Sequence, residues 1–307
     1  MPRVIAADEL PCQDATVAAP AELGECCAAL EQAGFDPRDE GSLLHAAGWL
    51  ARLAANRTFL ADLLLEELRG RHRGPDPATI YGPQVVMLSS LERDFFLRAN
   101  IWPSPAEHLF RASGGSAFVY ELPHDHNFDF LTCGYFGPGY ISDYWEYDHA
   151  AVAGVVGEPA GLRFVERSQL SPGKLMHYRA HRDVHAQLPP PSLSVSLNIM
   201  DAAAPTGWRD QYRFDTDNDR IAQVLSSGSA EVFLRIAVGL GGDEARDFAE
   251  RFAAHHPQDR MRLVALEAQA GVLDETERDA LWARAERSGS RLVAAEAVAR
   301  RRLLERT

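Results

Sequence analysis

The stretch Pro123-His124-Asp125-His126-Asn127-Phe128-Asp129-Phe130 decides how this 307-residue chain is read. On a strand, side chains alternate between faces, so His124, His126, Phe128 and Phe130 share one face and Asp125, Asn127 and Asp129 the other. Two imidazoles rooted about 7 Å apart on one pleated surface can converge on a single ion. That geometry suits a metal site that keeps its remaining positions open for chemistry. Alone, a His-x-His pair reads equally well as two ordinary histidines on a half-buried strand.

A second stretch changes the weighing: Leu170-Ser171-Pro172-Gly173-Lys174-Leu175-Met176-His177-Tyr178-Arg179-Ala180-His181-Arg182-Asp183-Val184-His185-Ala186-Gln187. The Pro172-Gly173 turn launches a short strand over 174–178. A tight polar segment, 179–183, follows, and a second strand begins near His185. A small β-barrel brings such a strand beside the one that carries His124 and His126.

Together the two stretches resemble the paired signature motifs of the cupin superfamily, in which a His-x-His strand supplies two metal ligands and a Gly-initiated strand and turn delivers a third histidine. The resemblance covers roughly 95–200, about a third of the chain. It implies a cupin-like antiparallel β-barrel (a double-stranded β-helix) and puts His124, His126 and His185 at the ligand positions. Many cupins also place a Glu after three or four intervening residues beyond the second histidine; here those places hold Phe130 and Leu131. The implied site is therefore the three-His variant, similar to that of thiol dioxygenases and related mononuclear iron enzymes. Such a site implies Fe(II) as cofactor, with zinc, manganese, nickel and copper as alternatives, because affinity alone does not choose the metal.

Several residues compete for roles around that site. His181, in the turn, is the rival of His185 as third ligand. His177 is either a core histidine or a donor behind the ligands. Asp183 can accept a histidine's other ring proton or simply build the turn. Glu146 would convert the set to two histidines and a carboxylate. Tyr120 belongs to a group of tyrosines that either line a pocket or fill the barrel core with polar tips at its rim. Of Arg98, Arg163 and Arg179, any that points inward can hold a substrate carboxylate through two parallel hydrogen bonds. Gln187 shares the face of His185, within reach of a metal-bound water. The expected catalytic group is Tyr120, Arg179 and Gln187. His181-Arg182-Asp183 also matches the His-x-Asp of 2-oxoglutarate oxygenases, but the next histidines after His185 are His255 and His256, in a helical pattern.

Composition narrows the class. Apolar residues make up 46% and charged residues 24%, as in ordinary globular proteins. With 31 Lys and Arg against 44 Asp and Glu the net charge is −13. That argues against nucleic acid and against anionic membranes, since phosphate contacts need a basic footprint. The run Arg300-Arg301-Arg302 lies in the last turns of an expected helix, where cations suit the macrodipole. Cys12, Cys26, Cys27 and Cys133 fit neither a zinc motif nor a disulfide framework, so a reducing compartment is the simplest reading. No apolar leader and no spanning stretch is visible, which makes the cytoplasm the expected location.

The rest of the chain frames the barrel. The segment 1–20 is weakly patterned. Helices are expected over 20–33 and from Ser42 onward, with a stripe of Leu43, Leu44, Ala47, Leu50, Ala51 and Ala54, and again from Thr58 to Gly70. Gly74-Pro75-Asp76-Pro77 stops them. Short runs at 84–88, 95–102, 116–122, 131–136, 140–147, 162–166 and 193–199 read as strands separated by Gly and Pro turns. From about Asp219 six helices are expected: 220–225, 230–238, 244–255, 259–270, 276–288 and 291–305. The expectation is an α+β chain in three parts: an N-terminal helical unit (1–80), the cupin-like barrel with the metal site (81–215) and a C-terminal helical unit (216–307). Its expected activity is that of a mononuclear non-haem iron oxygenase acting with O₂ on a small polar molecule such as an amino acid, with a homodimer as a further partner state. The alternative is a cupin-type binding module with a structural metal or none.

Overall fold

A computed structural model describes residues 2–11, 19–71, 84–203 and 208–304. The elements are, in chain order, β1 (Arg3–Ile5), α1 (Leu23–Ala33), α2 (Glu40–Ala55), α3 (Phe59–Arg71), β2 (Val85–Met87), β3 (Phe95–Trp102), α4 (His108–Ser113), β4 (Phe130–Phe136), β5 (Ile141–Glu146), β6 (Arg163–Gln169), β7 (Leu175–Tyr178), β8 (Asp183–Leu188), β9 (Ser194–Asp201), β10 (Tyr212–Asp215), β11 (Arg220–Val224), α5 (Ser229–Leu240), α6 (Asp243–His255), α7 (Asp259–Ala270), α8 (Glu275–Ala285) and α9 (Arg291–Leu304). Cys12, His72 and the Gly74-Pro75-Asp76-Pro77 stop lie outside the described residues. Among those described, no helix is long and apolar enough to cross a membrane.

The chain divides into two compact units, Met1–Tyr147 with Arg163–Thr206, and Asp148–Leu162 with Gly207–Thr307. In the first, six strands run in the order β1-β7-β4-β9-β3-β2 and three in the order β6-β5-β8. Their ladders are antiparallel, so the chain is α+β with antiparallel sheets, as the alternation and turn spacing imply. The ladders among the described residues group into these two sheets.

Strand parity explains the layering. On the large sheet, Leu97, Ala99, Leu131, Cys133, Val195, Leu197 and Ile199 point to one side, into a core shared with Leu43, Ala47, Leu50 and Leu53 of α2. Each such Leu contributes about 2–5 kcal/mol relative to Ala. The other side presents Trp102, Phe130, Met176, Tyr178 and Met200, which meet Tyr144 of the small sheet in an aromatic core. Strands β4 and β9 are thus buried on both faces. The polar residues of β9 are no exception: Ser194, Ser196 and Asn198 are 1, 1 and 3% exposed, and they point inward.

Three local expectations are corrected. Asp39, not Ser42, caps α2: its side chain accepts from Ser42 N at 2.8 Å, while Ser42 Oγ accepts from Asp36 N. The strand expected over 116–122 is a 3-10 turn, Gly115–Phe118, followed by left-handed Val119 (φ 58°) and Glu121 (φ 56°). Phe110 and Phe118 stack at 6.1 Å across that turn, so burial overrides the β propensity of its residues. Finally, the helix expected over 220–225 is strand β11, the second arm of a hairpin with β10. The Asp215 carboxylate accepts from Asp217 N and Asn218 N, and Asp219 takes φ 51°, so turn chemistry decides the segment.

The second unit holds that hairpin and α5–α9. Helix α7 supplies both of its cores: Leu263, Leu266 and Ala270 pack with α8 and α9, and Met261, Val264 and Ala268 with α5 and α6.

Candidate metal centre

The His-x-His segment is not a ladder strand but an extended stretch pinned to β8. His124 and His185 form an isolated antiparallel bridge, and His126 O accepts from His181 N at 2.8 Å. The i, i+2 spacing does what it would on a strand and turns both rings the same way. One ring nitrogen from each of His124, His126 and His185 lies within 4.8 Å of the others, the one such group of three among the described residues. His126 Nε2 and His185 Nε2 are 3.0 Å apart. Nitrogens about 2.1 Å from a shared ion and at right angles lie roughly 3 Å apart, so this pair is already at coordination spacing.

Electrostatics favour the neutral, ligating form. Burial depresses the pKa of His124, and depresses those of His126 and His185 further, with the neighbouring histidines adding to the effect. His124 Nδ1 donates to Leu122 O at 2.7 Å, which fixes its tautomer and leaves Nε2 a lone pair aimed inward. Three neutral imidazoles with converging nitrogens fit a divalent transition metal.

The rivals are placed elsewhere. His181 takes φ 57° in the turn and lies outside the three-nitrogen group. Glu146 accepts from Arg163 and Arg179 at 2.8 and 3.0 Å. Asp183, 1% exposed, accepts from the Arg179 backbone and twice from its guanidinium, so it fastens Arg179. His177 pairs with Asp129 at 3.0 Å.

The residues expected to act on substrate are dispersed around the centre. Gln187 Nε2 lies 3.4 Å from His185 Nε2, and its Oε1 is buried without a partner. Tyr120 is bridged to Gln187, and its hydroxyl donates to Pro103 O at 2.9 Å. Arg179 spends its guanidinium on Asp183 and Glu146. Arg98 is the arginine whose charge acts on His126, lowering its pKa. By parity it shares the inner face of β3 with Asn100 and Trp102.

Rings close the rest of the site. Phe128 and Phe130 lie 5.0 and 4.9 Å from His126, and Tyr178 lies 4.8 Å from His185 while stacking on Phe130 at 4.4 Å. The Tyr144 and Tyr178 hydroxyls are 2.9 Å apart, and burial raises both pKa values, so both stay protonated. Sequence reasoning missed the polar inner face of the sheets. Asn100 Oδ1, Thr132 Oγ1 and Ser142 Oγ are buried without hydrogen-bond partners on faces that parity assigns to the interior. The Ser and Asn alternation of β9 was the available signal, but without the second sheet it reads as a solvent face.

No family model matches the chain, and no curated protein matches it. Among solved structures, it is similar to a chain from crystal structures of DMSP lyases, at 10% identity over 38% of this chain and 46% of that one, with a TM-score of 0.22. The match therefore spans less than half of the lyase chain. It is similar also to a cupin-like protein from Thermotoga maritima, at 11% identity over 47% and 94%, TM-score 0.24. A third is vicilin from the hazelnut Corylus avellana, at 10% identity over 48% and 41%, TM-score 0.21. Likeness at this level carries no argument about function, which rests on the geometry above.

Proposed function

We propose that the protein is a metal-dependent enzyme of the cupin type, a mononuclear Fe(II) oxygenase acting with O₂ on a small polar substrate such as an amino acid or a derivative. The observation that supports it is the meeting of three neutral imidazoles at one point, His124 and His185 buried and His126 partly so. His124, His126 and His185 would hold the ion. When bound, it supplies open coordination positions at which substrate and O₂ meet. The chain's own residues do the remainder. Phe128, Phe130 and Tyr178 exclude water on one side. Gln187 offers a hydrogen bond beside His185. Arg98, on the polar inner wall with Asn100 and Thr132, would orient a substrate carboxylate.

Metal analysis of purified protein, paired with oxygen consumption over a panel of amino acids, tests the reading. About one iron per chain, lost in His126→Ala together with oxygen uptake, is the expected result. Protein that binds no transition metal would favour the cupin-type ligand-binding module instead.

A further inference from the structure

We propose that α5 and the start of α6 form the contact between two copies of this chain. Helix α5 is apolar on two sides. Its inner side, Leu234 and Val238, is buried in the core that α5 shares with α6 and α7. Its outer side is just as apolar: Val232, Phe233, Ile236 and Leu240 are 57, 64, 51 and 86% exposed. At about 3.6 residues per turn these four share one arc with Ala237, while Glu231 and Arg235 fall outside it. A helix that is apolar around nearly its whole circumference belongs inside a protein, so the outer arc is a face made to be covered.

A groove of about 520 Å³ runs beside that ridge. Ala237, Gly241, Gly242 and Ala245 line it with small side chains, and Phe248 and Phe252 line it with large ones. A Cβ at Gly241 would stand 2.4 Å from Ala237 O, so the backbone at this wall comes closer than any side chain permits.

A second copy is the occupant that this surface fits. Ridge and groove lie side by side on one surface, so a two-fold axis sets the ridge of each copy into the groove of the other. The chain carries a net charge of −13, yet the arc is uncharged and the groove is lined by one acid, Glu244. Two such faces meet with little of the like-charge repulsion that the remaining surface of an acidic chain would impose. With Phe248, itself 43% exposed, the apolar side chains present on the order of 500 Å² per copy. A two-fold contact then buries about 1,000 Å², the threshold for a specific interface.

Sedimentation equilibrium of the full chain at micromolar concentration tests the contact. The expected result is twice the chain mass for the wild type and a single chain mass for Phe233→Glu/Leu240→Glu, with unchanged far-UV circular dichroism. Should the double variant fail to fold, Leu240→Ser is expected to weaken dimerisation about tenfold or more. A monomeric wild-type chain overturns the proposal, whether the face is then covered by another part of the chain or by a foreign protein. So does a dimer whose mass neither variant changes. The metal content of both variants is expected to match the wild type, which keeps this test separate from that of the three histidines.

Discussion

His124 and His185 hydrogen-bond each other through their backbones in both directions, His124 N to His185 O at 3.0 Å and His185 N to His124 O at 2.9 Å. The two bonds hold segments far apart in sequence as one antiparallel bridge, with ring centroids 4.6 Å apart. The main chain thus sets the spacing of the imidazoles, and trimming a ring leaves the scaffold in place.

Loss of a ring is therefore expected to remove a ligand without unfolding the first unit. His126→Ala and His185→Ala should keep wild-type far-UV circular dichroism and lose bound transition metal by elemental analysis. Metal at a thousand times its Kd stabilises the folded state by about 4 kcal/mol. Added Fe(II) or Zn(II) should then raise the thermal midpoint of the wild type and leave that of the variants unmoved. Equal rises in all three would place the metal elsewhere.

Arg98 gives a prediction about the substrate. Lysine keeps its charge but loses the planar fork that grips a carboxylate. Arg98→Lys is expected to raise KM for a carboxylate-bearing substrate about tenfold, with a smaller change in kcat. The corresponding amide should show no such shift. An unchanged KM for the acid would remove Arg98 from the site.

The Asp183–Arg179 pair supports the turn that leads into His185. Asp183 has a fully buried side chain and Arg179 is 29% exposed at its own, and they meet at 2.6 Å. Because Arg179 is partly exposed and keeps Glu146 at 3.0 Å, removing the Asp183 charge is expected to cost about 1–2 kcal/mol, less than for a fully buried pair. Asp183→Asn should lose stability of that order in urea melts and weaken metal binding with it. A stable variant with wild-type metal content would show that the turn holds without the pair.

Asp201 behaves in the opposite sense. Burial, with the nearby Asp129 charge adding to it, raises its pKa above the usual carboxylate range, and its Oδ2 has no hydrogen-bond partner. For an acid whose folded pKa is raised, the destabilisation is absent at low pH, where both states are protonated. It grows as pH rises from the unfolded value to the folded one and is complete above the latter. Asp201→Asn preserves the acceptor that Ala203 N uses at 3.0 Å. It should therefore raise the thermal midpoint at pH 7 and have no effect near pH 3. The same gain at both pH values would assign it to packing instead of charge.

Much of the site was legible in the sequence because its information is local. The His-x-His spacing, the Pro172-Gly173 turn and the parity of β8 put three ligand candidates within reach of one another. What the sequence left open depended on partners far away in the chain. The sequence preferred His185 over His181 as third ligand, and the turn dihedral of His181 and the bridge from His185 to His124 supply the physical reason. Arg98, Arg163 and Arg179 look alike until Glu146 and Asp183 are seen to engage two of them. The 220–225 segment read as helix because its hydrophobic spacing is ambiguous over so few residues, and Asp215, outside the segment, decided against it.

Strand β9 sits between two interiors, aliphatic with α2 on one side and aromatic with β5 on the other. A slip of one residue would exchange Leu197 for Asn198 and strand polar groups in the aliphatic interior, so only one alignment of the strand is tolerated. Neither interior can melt while the other persists. Tryptophan fluorescence from Trp102 and helical dichroism from α2 should therefore fade together, making the first unit a single cooperative block.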